Sequence, residues 1–242
     1  MNADSWKVSL ATLAALVACT AGCSRQSGPH GLTGVNERAK SELEAHQQVA
    51  AQTARTYHAM DNDALLSKLE EQSAAKREPF NSLAFRELRK RDDVDAGKLA
   101  SAVRKTPNGD SLLPLLLLRQ LHENSYRELP AELRAGVLTD ALRNSRTFNT
   151  WGLPHAYLEA ASLALIETGT AALPALREML SDTRPAPMFG GQQVMEYERY
   201  KYRLCDYALF FIERIQGNGD FRMPLEAQER DSLIKGLQQN KP

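Results

Sequence analysis

The sequence predicts an all-α protein, and three observations carry that expectation. Ala and Leu abound beside Glu, Arg and Gln, while aromatics make up 7% of the chain, a set that favours helix over strand. From residue 61 onward apolar residues recur at three- and four-residue spacing, the period of a helix face. Nowhere does a stretch alternate apolar and polar residues as a half-buried strand does.

At the start of the chain, Lys7 precedes an apolar run over 8–17. The run is too short to span a bilayer, which takes ~20 apolar residues. It leads into small residues and then cysteine, as a secretory signal does. Leu16-Val17-Ala18-Cys19 resembles the lipobox of bacterial lipoproteins, and Thr20-Ala21-Gly22-Cys23 is a second match. The resemblance implies a signal peptide over 1–18 and a diacylglycerol on Cys19, or on Cys23. It places the chain in the cell envelope facing the periplasm, lipid-anchored to the membrane. Thr20 or Ser24, rather than Asp, follows the cysteine. In that family this favours the outer membrane in a host that has one. Residues 19–35, rich in Gly and Ser, read as a flexible tether. A polar helix is expected over 36–60.

The region 61–242 reads as packed helices. Asp61 and Asp63 can cap a helix carrying Leu65, Leu66 and Leu69. Pro79-Phe80-Asn81-Ser82 opens another, and 92–105 gives a third. Residues 112–121 are apolar nearly all round, so that helix is expected to be buried on several sides. The stretch 130–143 is amphipathic. A single helix is expected over 154–167, ended by Gly169, with Thr170 capping the next. Further on, Tyr197, Tyr200, Leu204, Tyr207 and Phe211 would share one helical face.

Two short helices about a glycine form an αα-hairpin that can bury its apolar faces only by stacking. Leu158-Glu159-Ala160-Ala161-Ser162-Leu163-Ala164-Leu165-Ile166-Glu167-Thr168-Gly169, followed by Ala172-Leu173-Pro174-Ala175-Leu176, resembles a HEAT repeat. The helix around Leu204–Ile215 is similar to the first helix of a following repeat. Upstream, periodicity pairs 80–91 with 94–105 and 111–123 with 130–144. The resemblance implies stacked αα-hairpins in a short HEAT-like α-solenoid. Such folds present extended binding surfaces.

Charge and motif exclude several classes of function. Thirty basic residues balance thirty acidic ones, which gives no electrostatic case for nucleic acid. No histidine pair has metal-ligand spacing, and no nucleotide-binding glycine motif or nucleophile elbow occurs. No metal and no cofactor is expected. The expectation is a protein-binding scaffold or adaptor. A cell-wall enzyme using His155 and an immunity-type inhibitor remain the alternatives. Two interruptions of the helical pattern, 145–155 and 184–193, carry aromatics and arginine, the residues of interface anchors. With the stretch that follows, they make Phe148, Trp151, His155, Arg184, Phe189, Tyr197 and Arg199 the candidate binding surface. Phe148 and Trp151 can equally close the end of the core. Cys205, in an apolar helical stretch, reads as a buried free thiol.

Overall fold

A computed structural model describes residues 31–74 and 82–239. Pro79, Phe80 and the candidate lipid-bearing Cys19 and Cys23 lie outside these residues. The protein is all-α: the described residues form twelve α-helices and one two-stranded hairpin. Contacts divide the chain into Met1–Met60 and Asp61–Pro242.

In the first unit, α1 runs Gly31–Ala59. Residues 31–35 are therefore helical where a flexible tether was expected. Helix α1 is polar along its length, with Leu43 and Val49 exposed.

The second unit begins with α2 (Asn62–Ala74), where Asp61 Oδ1 accepts the Ala64 amide at 2.8 Å. Helix α3 (Leu83–Leu88) is capped by Ser82, and α4 (Ala96–Lys105) by Asp95. Both caps satisfy an amide that the first helical turn leaves without a partner. Helix α5 (Leu112–Leu121) is apolar around its circumference, with Leu113 and 115–118 all buried. It packs on α2, α3 and α4, on α6 (Glu123–Glu128), α7 (Ala131–Asn144) and α8 (Ala160–Glu167). Burying each such leucine is worth ~1.5–3 kcal/mol, so this helix organises the first half of the unit. Helix α3 packs chiefly on α2 and α5, and α4 on α5 and α6. The hairpin expected from 80–91 with 94–105 is thus not the main packing of either helix: α3 turns chiefly to α2 and α4 to α5.

Helix α8 is shorter than the single helix expected over 154–167. Residues 152–158 instead form an antiparallel hairpin, β1 (Gly152–Leu153) with β2 (Tyr157–Leu158). Gly152 has φ +80°, and a Cβ there would stand 2.5 Å from the Tyr157 carbonyl oxygen. Only glycine supplies both the left-handed backbone and the clearance. After α8, Gly169 has positive φ as a helix-ending glycine should. The chain then enters α9 (Leu173–Met179) through a 3-10 turn, Gly169–Ala172, without a side-chain cap from Thr170.

The face expected to run from Tyr197 to Phe211 is also broken. Helix α10 (Gly191–Tyr200) stops at Lys201, which adopts φ 48°. Helix α11 (Leu204–Ile215) starts afresh, with Asp206 Oδ2 accepting the Arg203 amide at 2.9 Å. Arg203 has no acceptor with which to return the bond, as a serine cap would. Nearly all of α11 is buried, packed on α8, α9 and α12 (Ala227–Gln239).

Candidate functional site

The two interruptions of the helical pattern meet in space. The segment 184–203 forms a strap tied to the 145–152 crossing and to the start of α11. Phe148 donates its amide to Pro187 O at 2.9 Å. Asn149 bonds the Phe189 backbone twice, donating to its carbonyl at 2.7 Å and accepting its amide at 3.0 Å. At the strap's far end, Ala186 donates to Tyr202 O and Leu204 to Arg184 O, at 2.8 and 2.9 Å. Between these ties lies α10, none of whose residues is buried. Gly190 and Gly191 (φ +92° and +46°) turn the chain into it.

Of the expected surface residues, Phe148 and Trp151 do not reach the surface. They are 2% and 0% exposed. The Phe148 ring lies 4.8 Å from that of Tyr207, and Trp151 meets Phe211 edge-on at 6.1 Å. Aromatic rings of α11 are the partners these side chains needed, so both belong to the core. Arg184, Phe189 and Arg199 are exposed, and Tyr197 is partly so. Arg184 is held by Asp182 and donates to the Arg143 carbonyl at 2.9 Å. Arg199 lies 5.8 Å from the Tyr200 ring centroid.

His155 stands beneath α10. Its ring stacks on Tyr200 at 3.9 Å, with 15° between the planes. Nε2 lies 3.2 Å from Glu196 Oε2, and Nδ1 lies 2.9 Å from Tyr202 Oη. A carboxylate takes only a donor, so Nε2 carries the proton and Nδ1 accepts from the phenol. Burial lowers the His155 pKa, opposed by the bond to Glu196. The ring is therefore neutral at neutral pH, and this contact is a hydrogen bond rather than an ion pair. Tyr202 is wholly buried, and burial holds its phenol far above the ordinary range. Cys205, buried beside Asp206, has its thiol pushed up to about 11, chiefly by burial. Neither group presents an anionic nucleophile at neutral pH. The cluster fixes α10 to the β-hairpin and leaves the strap's outer side chains free for contact.

Tyr200 beside His155 is legible in the sequence only as part of an aromatic face, and Glu196 is no part of the expected surface. The exposed Val194 and Met195, 36% and 67% accessible, are not among the expected surface residues. Their signal is a Val-Met pair inside an otherwise polar stretch of α10.

Glu159 lies near the same hairpin. It occupies the N-cap position of α8 but makes no capping bond with its side chain. Burial alone raises its pKa. A carboxyl whose pKa rises on folding favours the fold when protonated. That contribution is complete below the unfolded-state pKa and is lost as pH rises through the folded-state value. Glu159→Gln is accordingly expected to stabilise the protein at pH 7 by about 0.5 kcal/mol, a small figure because the group is partly solvated. The gain should vanish below about pH 4. Urea unfolding of both proteins across pH 3.5–7 checks it, and an equal gain at both ends of that range would show that charge is not the cause.

Among the described residues no group of His, Cys, Asp and Glu is placed to hold a metal ion, and no helix is long and apolar enough to cross a membrane. No family model matches this chain, no curated protein matches it, and no solved structure matches it.

Proposed function

We propose that this chain is a protein-binding module of the cell envelope, anchored by a lipid on Cys19 or Cys23, that captures its partner through the 184–203 strap. The observation that supports this is the exposure of Phe189, Val194 and Met195 along a segment whose backbone is already fixed at both ends. Exposed large apolar side chains cost solubility and are what interface centres are built from. Holding them in place before binding reduces the ordering cost of association. Arg184 and Arg199 supply a polar rim. The HEAT-like repeats serve as the scaffold that presents the strap, and the lipid sets where it acts, with the outer membrane favoured in a host that has one.

The test is a crosslinked pull-down from envelope membranes with the full-length lipidated chain and a Cys19→Ser, Cys23→Ser control. A Phe189→Asp, Met195→Asp double variant is expected to lose the captured protein by about 100-fold, as loss of an interface centre does. Arg199→Ala should weaken capture only a few-fold, as a rim charge does. Undiminished capture by the double variant, or capture of nothing above the unlipidated control by the native chain, would sink the proposal.

A further inference from the structure

A cavity of about 500 Å³ opens where α5, α6, α7 and α8 meet, walled by Arg119, Glu123, Tyr126, Arg127, Arg134 and Glu167. Three guanidinium groups thus face two carboxylates, and their pairings are unequal. Arg119 is committed: Nε and Nη2 grip the two oxygens of Glu167 at 2.8 and 2.5 Å. That bond raises the pKa of Arg119 and lowers that of Glu167. Arg127 pairs with Glu123 one turn earlier on α6, with both side chains more than half exposed. An ion pair of that kind is worth only a few tenths of a kcal/mol and yields readily to a better partner.

Among the described residues Arg134 makes no direct ion pair, and its charge reaches Glu167 only at longer range. Its guanidinium lies 4.7 Å from the centroid of the Tyr126 ring, and among the described residues its Nε has no hydrogen-bond partner. Three guanidinium groups against two carboxylates leave the wall one positive charge in excess, and the Arg134 Nε keeps an unused donor. A planar guanidinium fork matches the geometry of carboxylate and phosphate oxygens. The volume exceeds that of a bare oxyanion and lies in the range of small-ligand sites.

We propose that this cavity binds a small polar anion through its carboxylate or phosphoryl group. Arg134 and Arg127 hold the oxyanion, and the Arg119–Glu167 pair forms a fixed wall. Glu123, released from Arg127, accepts a hydroxyl or ammonium donor from the rest of the ligand. The site shares no residue with the strap and does not depend on what the strap binds.

Thermal melts of the full chain in inorganic phosphate and in acetate, at ionic strength held constant with chloride, test the site. Binding to the folded state raises the midpoint with the logarithm of ligand concentration. Saturable stabilisation by either ion is expected. A response to phosphate alone assigns a phosphoryl ligand, and a response to acetate alone assigns a carboxylate. Arg134→Gln should weaken apparent affinity by about tenfold or more, the loss of one charged fork. Arg127→Gln, at an exposed position that leaves the fold intact, should weaken it several-fold. The proposal is overturned by no saturable response to either ion up to about 50 mM. An identical response in the native chain and Arg127→Gln overturns it too, whether or not Arg134→Gln folds.

Discussion

Replacing Asp206 by alanine is expected to lower the free energy of unfolding by about 3–5 kcal/mol, the usual cost of removing one member of a buried ion pair. Asp206 is 0% exposed and Arg230 1%. The carboxylate accepts the Arg203 amide at 2.9 Å and the Arg203 guanidinium at 2.9 and 3.2 Å. Arg230 Nε stands 3.2 Å from the same carboxylate, too poorly aligned for a hydrogen bond, so their interaction is Coulombic. The remaining bonds of Arg230 run to the carbonyls of Pro224, Leu225 and Tyr200. Without Asp206 these dipoles alone would face a full buried charge. Asp231 offers a control: it also bonds Arg203, at 2.6 Å, but its side chain is 56% exposed. Asp231→Ala should cost no more than about 0.5 kcal/mol, as exposed pairs do. Equal losses for the two variants in urea unfolding would mean that burial of the charge is not what matters. Because Arg230 holds the carbonyl of Tyr200, the last residue of α10, Asp206→Ala should also speed amide exchange in α10 relative to α11. The strap's rigidity, and with it the proposed binding, thus rests partly on an ion pair set behind it.

Much of the helical frame was legible because its signals are local. Ser82 stands where a helix begins, Gly169 stands just past the end of one, and the all-apolar face of α5 announces a central helix, whereas α4 starts at Ala96 behind Asp95 and not at 92 as expected. The errors fall where a local pattern admits two answers and a distant residue chooses between them. Tyr157 and Ala160 fit a helix face as well as they fit the end of a hairpin. The hairpin is held by Tyr207, 55 positions later, whose hydroxyl donates to Gly152 O at 2.7 Å. Tyr197 to Phe211 keeps helical spacing on paper, yet the strap must turn at Lys201 so that 185–186 can pair beside 202–203. The acid three residues after Arg203 is the one local sign of a new helix start there. The candidate surface was half visible for the same reason. An aromatic beside an insertion reads alike as an anchor or as core until its neighbours are known.

Trp151→Ala is expected to cost about 3–5 kcal/mol of stability, as large-to-small changes in a packed core do. Its side chain is the largest of those fully buried among the described residues. The indole Nε1 donates to Ser145 Oγ at 2.8 Å, and the ring packs edge-on to Phe211. Its backbone is equally committed, its carbonyl accepting from Ser162 Oγ at 2.5 Å and from the Glu159 amide at 3.3 Å. Alanine would leave a cavity between the 145–152 crossing and α11 that this fixed backbone cannot close. Trp151→Phe keeps most of the volume and loses the indole bond, so it should cost about 1–2 kcal/mol. Chemical denaturation of the three proteins orders them. Partner capture then separates a core residue from an interface residue. Under the burial seen here, capture by Trp151→Phe should match the native chain, and capture by Trp151→Ala should fall only in step with the folded fraction. A Trp151→Ala protein that kept its stability and lost its partner would put the ring at the interface, which its burial against Phe211 forbids.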